Sequence, residues 1–300
     1  MPIYRLEPRG PFSLANERDY FGDWLSLPSE PDAVVMAFPV EGWVGSAAVV
    51  VRQGTGTTIV GSVTIAGEAD PDRAWAQALA SLSLDADGAA FPEVGVRDPV
   101  IGGLQARYDW LRPVCFHSPY EAAVNFVVGQ RISMRQARSL RARMARELGE
   151  PLAVDGQTVH AFPVPERLTD LASFPGLPEE KLGRLRGIAR AAADGQLDRA
   201  RLRAMPVPEA LADLQRLRGV GPFAAQGILH RGAGLVDDVP DDEVTREAVQ
   251  LAYDLPHPPA RAEILAIAEA WRPYRMWSTV LLHVWIRRER GGPTRAPGRR

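Results

Sequence analysis

The stretch Leu214-Gln-Arg-Leu-Arg-Gly-Val-Gly-Pro-Phe-Ala-Ala-Gln-Gly-Ile-Leu-His-Arg-Gly232 decides how this chain is read. Its centre, Leu217 to Ala224, sets Gly219 and Gly221 two apart between apolar runs. A residue without Cβ can take positive φ and lets another backbone come close, so the pair permits a tight turn between two helices. Pro222 suits the first position of the second helix, where its missing N–H is not needed. The predicted product is a hairpin of two short helices whose turn points several backbone N–H groups in one direction. Such a helix start attracts an anion, and a phosphate fits it without any side-chain charge. Gly-x-Gly before a helix is a common pattern, and context sharpens it. An apolar helix precedes it, an Ala-rich helix follows, and the acidic cluster Asp241-Asp242-Glu243 comes shortly after.

The 300 residues suggest about two domains. With 46% hydrophobic and 24% charged residues, the composition is that of an ordinary globular protein. No apolar run is long enough to span a membrane. The start, Met1-Pro-Ile-Tyr-Arg-Leu-Glu7, lacks the apolar core of a secretory signal, so a cytoplasmic location is expected. The single cysteine, Cys115, excludes an internal disulfide, a four-cysteine zinc site and a cysteine-held iron–sulfur cluster. The net charge of −2 hides an asymmetry: residues 1–100 carry 6 basic against 14 acidic side chains, and residues 101–300 carry 29 against 23. Only the second part suits a polyanion, and mildly so.

Residues 1–100 read as mixed β and α. Ala33–Val40, Ala47–Val51 and Thr57–Ile65 are short runs rich in Val, Ile and Thr, parted by Gly-bearing turns, and predict an antiparallel meander. Asp70-Pro-Asp-Arg-Ala-Trp75 starts a helix. Phe12, Tyr20, Phe21 and Trp24 read as local core. A loop with Gly88, Pro92, Gly95, Pro99, Gly102 and Gly103 is taken as the boundary. From Ser118 the pattern is almost wholly helical, with a capped start at Ser118-Pro-Tyr-Glu121 and a helix at Met134–Leu148 that is basic on its outer face. Further helices are predicted at Glu179–Ala193, Asp241–Tyr253, Ala260–Trp271 and Tyr274–Arg290. The expected fold class is α+β: a small N-terminal antiparallel sheet domain with helices over 1–100, an all-α domain over 101–290, and a disordered Gly/Pro/Arg-rich tail over 291–300.

Several blocks in order, Val128-Gly-Gln-Arg-Ile-Ser133, Phe162-Pro-Val-Pro165, the Leu217–Phe223 turn, the acidic cluster and Trp271-Arg-Pro-Tyr-Arg275 with Leu281-Leu-His-Val-Trp285, carry a resemblance. The chain resembles the helix-hairpin-helix DNA glycosylases, and within them the bacterial 3-methyladenine DNA glycosylase II type, over most of Ser118–Arg287. The resemblance implies excision of alkylated purines by base flipping, in which a side chain fills the gap left in the stack. Gln130 and Arg131 occupy the place of that side chain. Arg131 departs from the apolar wedge of the family and also reads as a surface arginine on a helix end.

An N-alkylated purine is cationic, and aromatic faces attract cations. Phe223 and Trp285 match the family's aromatic pocket positions, with Tyr274 and Trp277 as weaker candidates. Gly219, Gly221 and Ala224 match its DNA-backbone contacts. The glycosidic bond breaks through an oxocarbenium-like transition state that a carboxylate stabilises, and the same group can orient water. Counting back from Ala248-Val249 selects Asp242 for that role, as does Pro240-Asp-Asp. Counting forward from Arg231-Gly232 selects Glu243, and the register of related lyases through Arg246 selects Asp241. Asp241 or Asp242 also reads as a plain helix cap.

In relatives that cleave the strand, a lysine forms a Schiff base two residues beyond the second hairpin glycine. Phe223 stands there, and the single lysine, Lys181, lies elsewhere, so a monofunctional enzyme using water is expected. No metal or cofactor is implied beyond a monovalent cation at the hairpin. The expected partner is damaged double-stranded DNA, met by a monomer in a bacterial nucleoid and not at a membrane. Two other readings stay open: the same fold acting on another damaged base, and a catalytically silent DNA-binding protein.

Overall fold

The structure is a computed structural model describing residues 2–21, 33–54, 56–108 and 111–289, with the side chains of residues 18–21 left aside. The expected core positions Tyr20, Phe21 and Trp24 and the expected disordered tail at 291–300 fall outside what is described. Four strands, β1 (Ile3–Leu6), β2 (Ala33–Pro39), β3 (Gly45–Gln53) and β4 (Ile59–Gly67), form an antiparallel sheet in the order β1-β4-β3-β2. Helix α1 (Leu14–Phe21) lies between the first two strands in sequence, and α2 (Pro71–Ser81), capped by Asp70, follows the last. Successive side chains point to opposite faces. Val34, Met36, Phe38, Val49 and Val51 therefore face one core, while Val35, Ala48 and Val50 face another. Both faces are covered, which is why β2 and β3 read as nearly continuous apolar runs.

The expected boundary loop is instead two helices, α3 (Phe91–Arg97) and α4 (Pro99–Arg107). Prolines read as breakers sit in the first turns of these helices, where they are tolerated, and Asp98 caps α4. The glycines serve close packing: a Cβ on Gly102 would meet the Gly95 carbonyl at 2.7 Å. Asp98 also accepts hydrogen bonds from Trp271 Nε1 at 2.8 Å and the Tyr253 hydroxyl at 2.5 Å.

The helical part continues with α5 (Pro119–Val128), α6 (Met134–Leu148), α7 (Pro165–Thr169), α8 (Glu179–Ala193), α9 (Arg199–Ala204), α10 (Val207–Gln215) and α11 (Pro222–Gly227). A π-helical turn, Ile228–Ala233, extends α11, and α12 (Glu243–Ala252), α13 (Arg261–Ala268) and α14 (Arg275–Glu289) complete the chain. Between α6 and α7 lies an unexpected ribbon, β5 (Pro151–Val154) and β6 (Gln157–His160). Its turn residues Asp155 and Gly156 have φ of 48° and 78°, the two-residue hairpin geometry that Asp-Gly favours. Leu152, Val154, Val159 and Ala161 pack on the outer face of the first sheet, and Arg52 pairs with Asp155 at 2.7 Å.

Two large cores result. One joins the sheet and α2–α4 to Val239 and α12–α14, and the other is built from residues between Phe116 and Ala233. The π-helical turn links them, with the Arg231 guanidinium donating to the Val114 carbonyl at 2.9 Å. No helix among the described residues is long and apolar enough to cross a membrane.

Candidate active site and nucleic-acid interface

α10 and α11 form the predicted hairpin, closed by the Val220 N–H on the Leu217 carbonyl at 2.9 Å. The two glycines do different things. Gly219 has φ of 91°, and a Cβ there would strike Arg184 Cδ at 2.6 Å. Gly221 is extended, with φ of −88° and ψ of −179°, and an added Cβ would meet nothing within 4 Å. The fold thus requires glycine at 219, whereas at 221 the bare backbone faces open space. No side chain caps α11, and Ala224 is buried, so this end offers outward the bare backbone at Gly221 and the exposed ring of Phe223.

The α5–α6 turn is tied to the hairpin. Gln130 Nε2 donates to the Gly219 carbonyl at 2.7 Å, and Gln130 Oε1 accepts from Arg184 Nη1 at 2.5 Å. Both ends of the amide are engaged, which makes Gln130 a brace and not a free wedge. Arg131 is exposed, with φ of 59°, a conformation uncommon for a residue with a side chain. Beneath it Lys181 Nζ donates to the carbonyls of Val128 and Gln130 at 2.8 and 2.6 Å, closing the open end of α5. Burial, then the nearby Arg184 and Arg131, lower the Lys181 pKa. Gln130, Arg131, Arg184 and the hairpin backbone line a groove of about 420 Å³. The exposed Arg135, Arg138 and Arg146 continue the positive surface along α6.

The acidic cluster is resolved residue by residue. Asp241 is exposed, and its backbone is gripped by Gln226 of α11, which accepts from the Asp241 N–H at 2.6 Å and donates to its carbonyl at 3.2 Å. Its carboxylate reaches Arg246 at 3.4 Å. Asp242, half-buried, caps α12 by accepting from the Thr245 N–H at 2.7 Å through Oδ1. Among the described residues Oδ2 has no hydrogen-bond partner. Glu243 is exposed on the first turn. The buried Thr245 meets His283 Nε2 through its hydroxyl at 2.9 Å. Burial pushes the His283 pKa down to about 4, opposed by the Asp242 charge and helped by Arg231 and Arg287.

The aromatic candidates divide. Phe223 is 68% exposed on the first turn of α11, and Trp285 is half-buried at the margin of the first core. Tyr274 is a core residue: it stacks obliquely on Trp277, meets Phe91 edge-on, and its hydroxyl donates to the Asp87 carbonyl at 2.7 Å. Trp277 is buried under the Arg112 guanidinium, 4.9 Å from its ring centre. Phe223, Gln226 and Gly227, at i, i+3 and i+4, share one face of α11. That face joins the exposed ring to the residue holding the acidic turn. Sequence reasoning missed Gln226, Arg184, Thr245 and His283, whose partners lie far away along the chain.

The sheet, the helical cores and the hairpin with an acidic turn beside it are the architecture of the helix-hairpin-helix DNA glycosylases. The chain is 30% identical over 222 residues to DNA-3-methyladenine glycosylase 2 of Escherichia coli, covering 70% of this chain and 71% of that one. It is 29% identical over 207 residues to a DNA-3-methyladenine glycosylase of Bacillus subtilis, covering 67% and 68%. The chain belongs to the DNA-3-methyladenine glycosylase family. In fold it superposes on a 3-methyladenine DNA glycosylase from Archaeoglobus fulgidus with a TM-score of 0.72 at 21% identity, over 97% of this chain and all of that one. No family model matches.

Proposed function

We propose that this protein is a monofunctional DNA glycosylase of base excision repair that flips an alkylated purine, such as 3-methyladenine, out of the duplex and hydrolyses its N-glycosidic bond. The observation that carries the reading is the shared face of α11, which couples the exposed Phe223 ring to the Gln226 grip on the turn bearing Asp242. The hairpin backbone at Gly219–Ala224 and the groove beside it take the DNA phosphates, with Arg131 entering the gap left by the extruded base. The proposal further includes a monovalent cation at the hairpin and damaged duplex DNA as the partner of a monomer.

At the reacting sugar, the C1′–N bond breaks with its electron pair leaving on the base, which departs neutral from a cationic N-alkylated purine. The positive charge developing at C1′ and the ring oxygen faces the Asp242 carboxylate, whose Oδ1 is fixed by the Thr245 N–H and whose Oδ2 is available. Water adds to C1′ and gives up a proton, for which the same carboxylate is the nearest acceptor. Phe223 stands where a lyase lysine would be, and Lys181 is occupied by two carbonyls, which favours water as the nucleophile. Release of free base from duplexes carrying a panel of modified purines and pyrimidines tests the reading. Release of alkylated purines is expected, and absence of any release sinks it.

A further inference from the structure

Phe126 reads in sequence as one more apolar residue of α5, yet its ring lies directly against the backbone of α11. A Cβ built on Gly227 would fall 2.0 Å from Phe126 Cζ and 2.5 Å from Cε2, so the ring occupies the space that any other residue at 227 would claim. There it meets the exposed Phe223 ring edge-to-face, with centroids 5.7 Å apart and planes at 88°. Phe116 backs it on another side at 6.3 Å. Phe126 is itself half-buried, and its ring neighbour Phe223 is exposed. Gln226, the neighbour of Gly227, holds the acidic turn. The aromatic corner and the candidate carboxylate are thereby fixed to the same short helix.

We propose that Phe126, seated by the missing Cβ of Gly227, is a second wall of the base site and discriminates in favour of cationic N-alkylated purines. The assignment rests on the glycosylase reading above. Two rings at right angles cannot both stack on one planar base. A base lying flat on one ring turns its edge, where alkyl groups project, towards the other. Where the second ring turns its face to that edge, its quadrupole attracts the positive charge of an alkylated purine, which neutral purines lack.

The test compares single-turnover release of cationic 3-methyladenine and neutral hypoxanthine from duplexes by wild type and by Phe126→Leu, which keeps an apolar contact at Gly227 but removes the ring. The cationic base should lose about tenfold, the scale of one desolvated cation–π contact, with a clearly smaller loss for hypoxanthine. Gly227→Ala, which displaces the ring without altering it, should reproduce that change in selectivity. Combining it with Phe126→Leu should add little further loss. An unchanged ratio of the two rates in Phe126→Leu and in Gly227→Ala overturns the assignment while leaving the glycosylase reading standing. A wild-type protein that releases no base from any duplex removes both.

Discussion

The Thr245 hydroxyl sits 2.9 Å from His283 Nε2 while the backbone N–H of the same threonine donates to Asp242 at 2.7 Å, so one buried residue joins α14 to the candidate carboxylate. The His283 pKa falls from 6.5 to about 4, chiefly through burial, so the folded protein resists a proton that the unfolded chain accepts. Its contribution to stability is complete above about pH 6.5 and is lost as pH falls towards 4. His283→Gln, measured by thermal unfolding against pH, should flatten the profile in that window relative to wild type. Two parallel curves there would remove the histidine as its source.

Asp242 combines a capping bond through Oδ1 with an Oδ2 that has no hydrogen-bond partner among the described residues, and capping separates from the proposed chemistry by substitution. Asparagine caps a helix about as well as aspartate, so Asp242→Asn should fold normally and still bind an abasic-site duplex. Losing the charge should cost roughly a hundredfold to a thousandfold in single-turnover excision, about 3–4 kcal/mol. Asp241→Asn and Glu243→Gln should keep most activity. A dead Glu243→Gln beside an active Asp242→Asn would move the chemistry one residue along.

The hairpin glycines should differ in what they cost. Gly219→Ala introduces a side chain at φ of 91° against Arg184 and should lower thermal stability, by about 1–3 kcal/mol for a residue held in that conformation. Gly221→Ala has room in the free protein and should unfold like wild type while binding damaged and undamaged duplexes alike more weakly. A Gly221→Ala loss confined to damaged DNA would place the hairpin at the lesion and not on the backbone.

Borohydride should trap no covalent protein–DNA adduct, and product strands should break only after alkali. Lys181 would have to give up both carbonyls, Val128 and Gln130, to attack a sugar. An adduct that disappears in Lys181→Ala would overturn the water mechanism.

What could be read in advance follows the range of the interactions. The meander, the Ser118 cap, the helices at 134–148 and 179–193 and the hairpin rest on contacts between residues close in sequence, and the sequence carries their signals. The Asp155-Gly156 turn carries such a signal too, but its two short strands lie between two helices and have few residues to mark them. The 88–103 segment misled because proline and glycine serve equally as loop formers, as first-turn residues and as packing surfaces between helices, and only the neighbours decide. Tyr274 could not be distinguished from Trp285 by residue type, since the difference lies in Phe91, Trp277 and the Asp87 carbonyl. The Asp242 candidate was narrowed by counting, but its link to Thr245 and His283 spans residues that only the folded chain brings together.

The division of the cores sets an order for synthesis. The core between Phe116 and Ala233 is drawn from one unbroken length of chain, whereas the sheet and α2–α4 share theirs with Val239 and α12–α14. As the polypeptide leaves the ribosome, the core that the sheet and α2–α4 share with α12–α14 stays incomplete until Trp271, Trp277 and Leu281 have been made, while every buried member of the helical core is present once Ala233 has emerged. The acidic turn emerges after that core and just before the segment that completes the other. The candidate carboxylate is therefore among the last parts of the molecule to be locked in place.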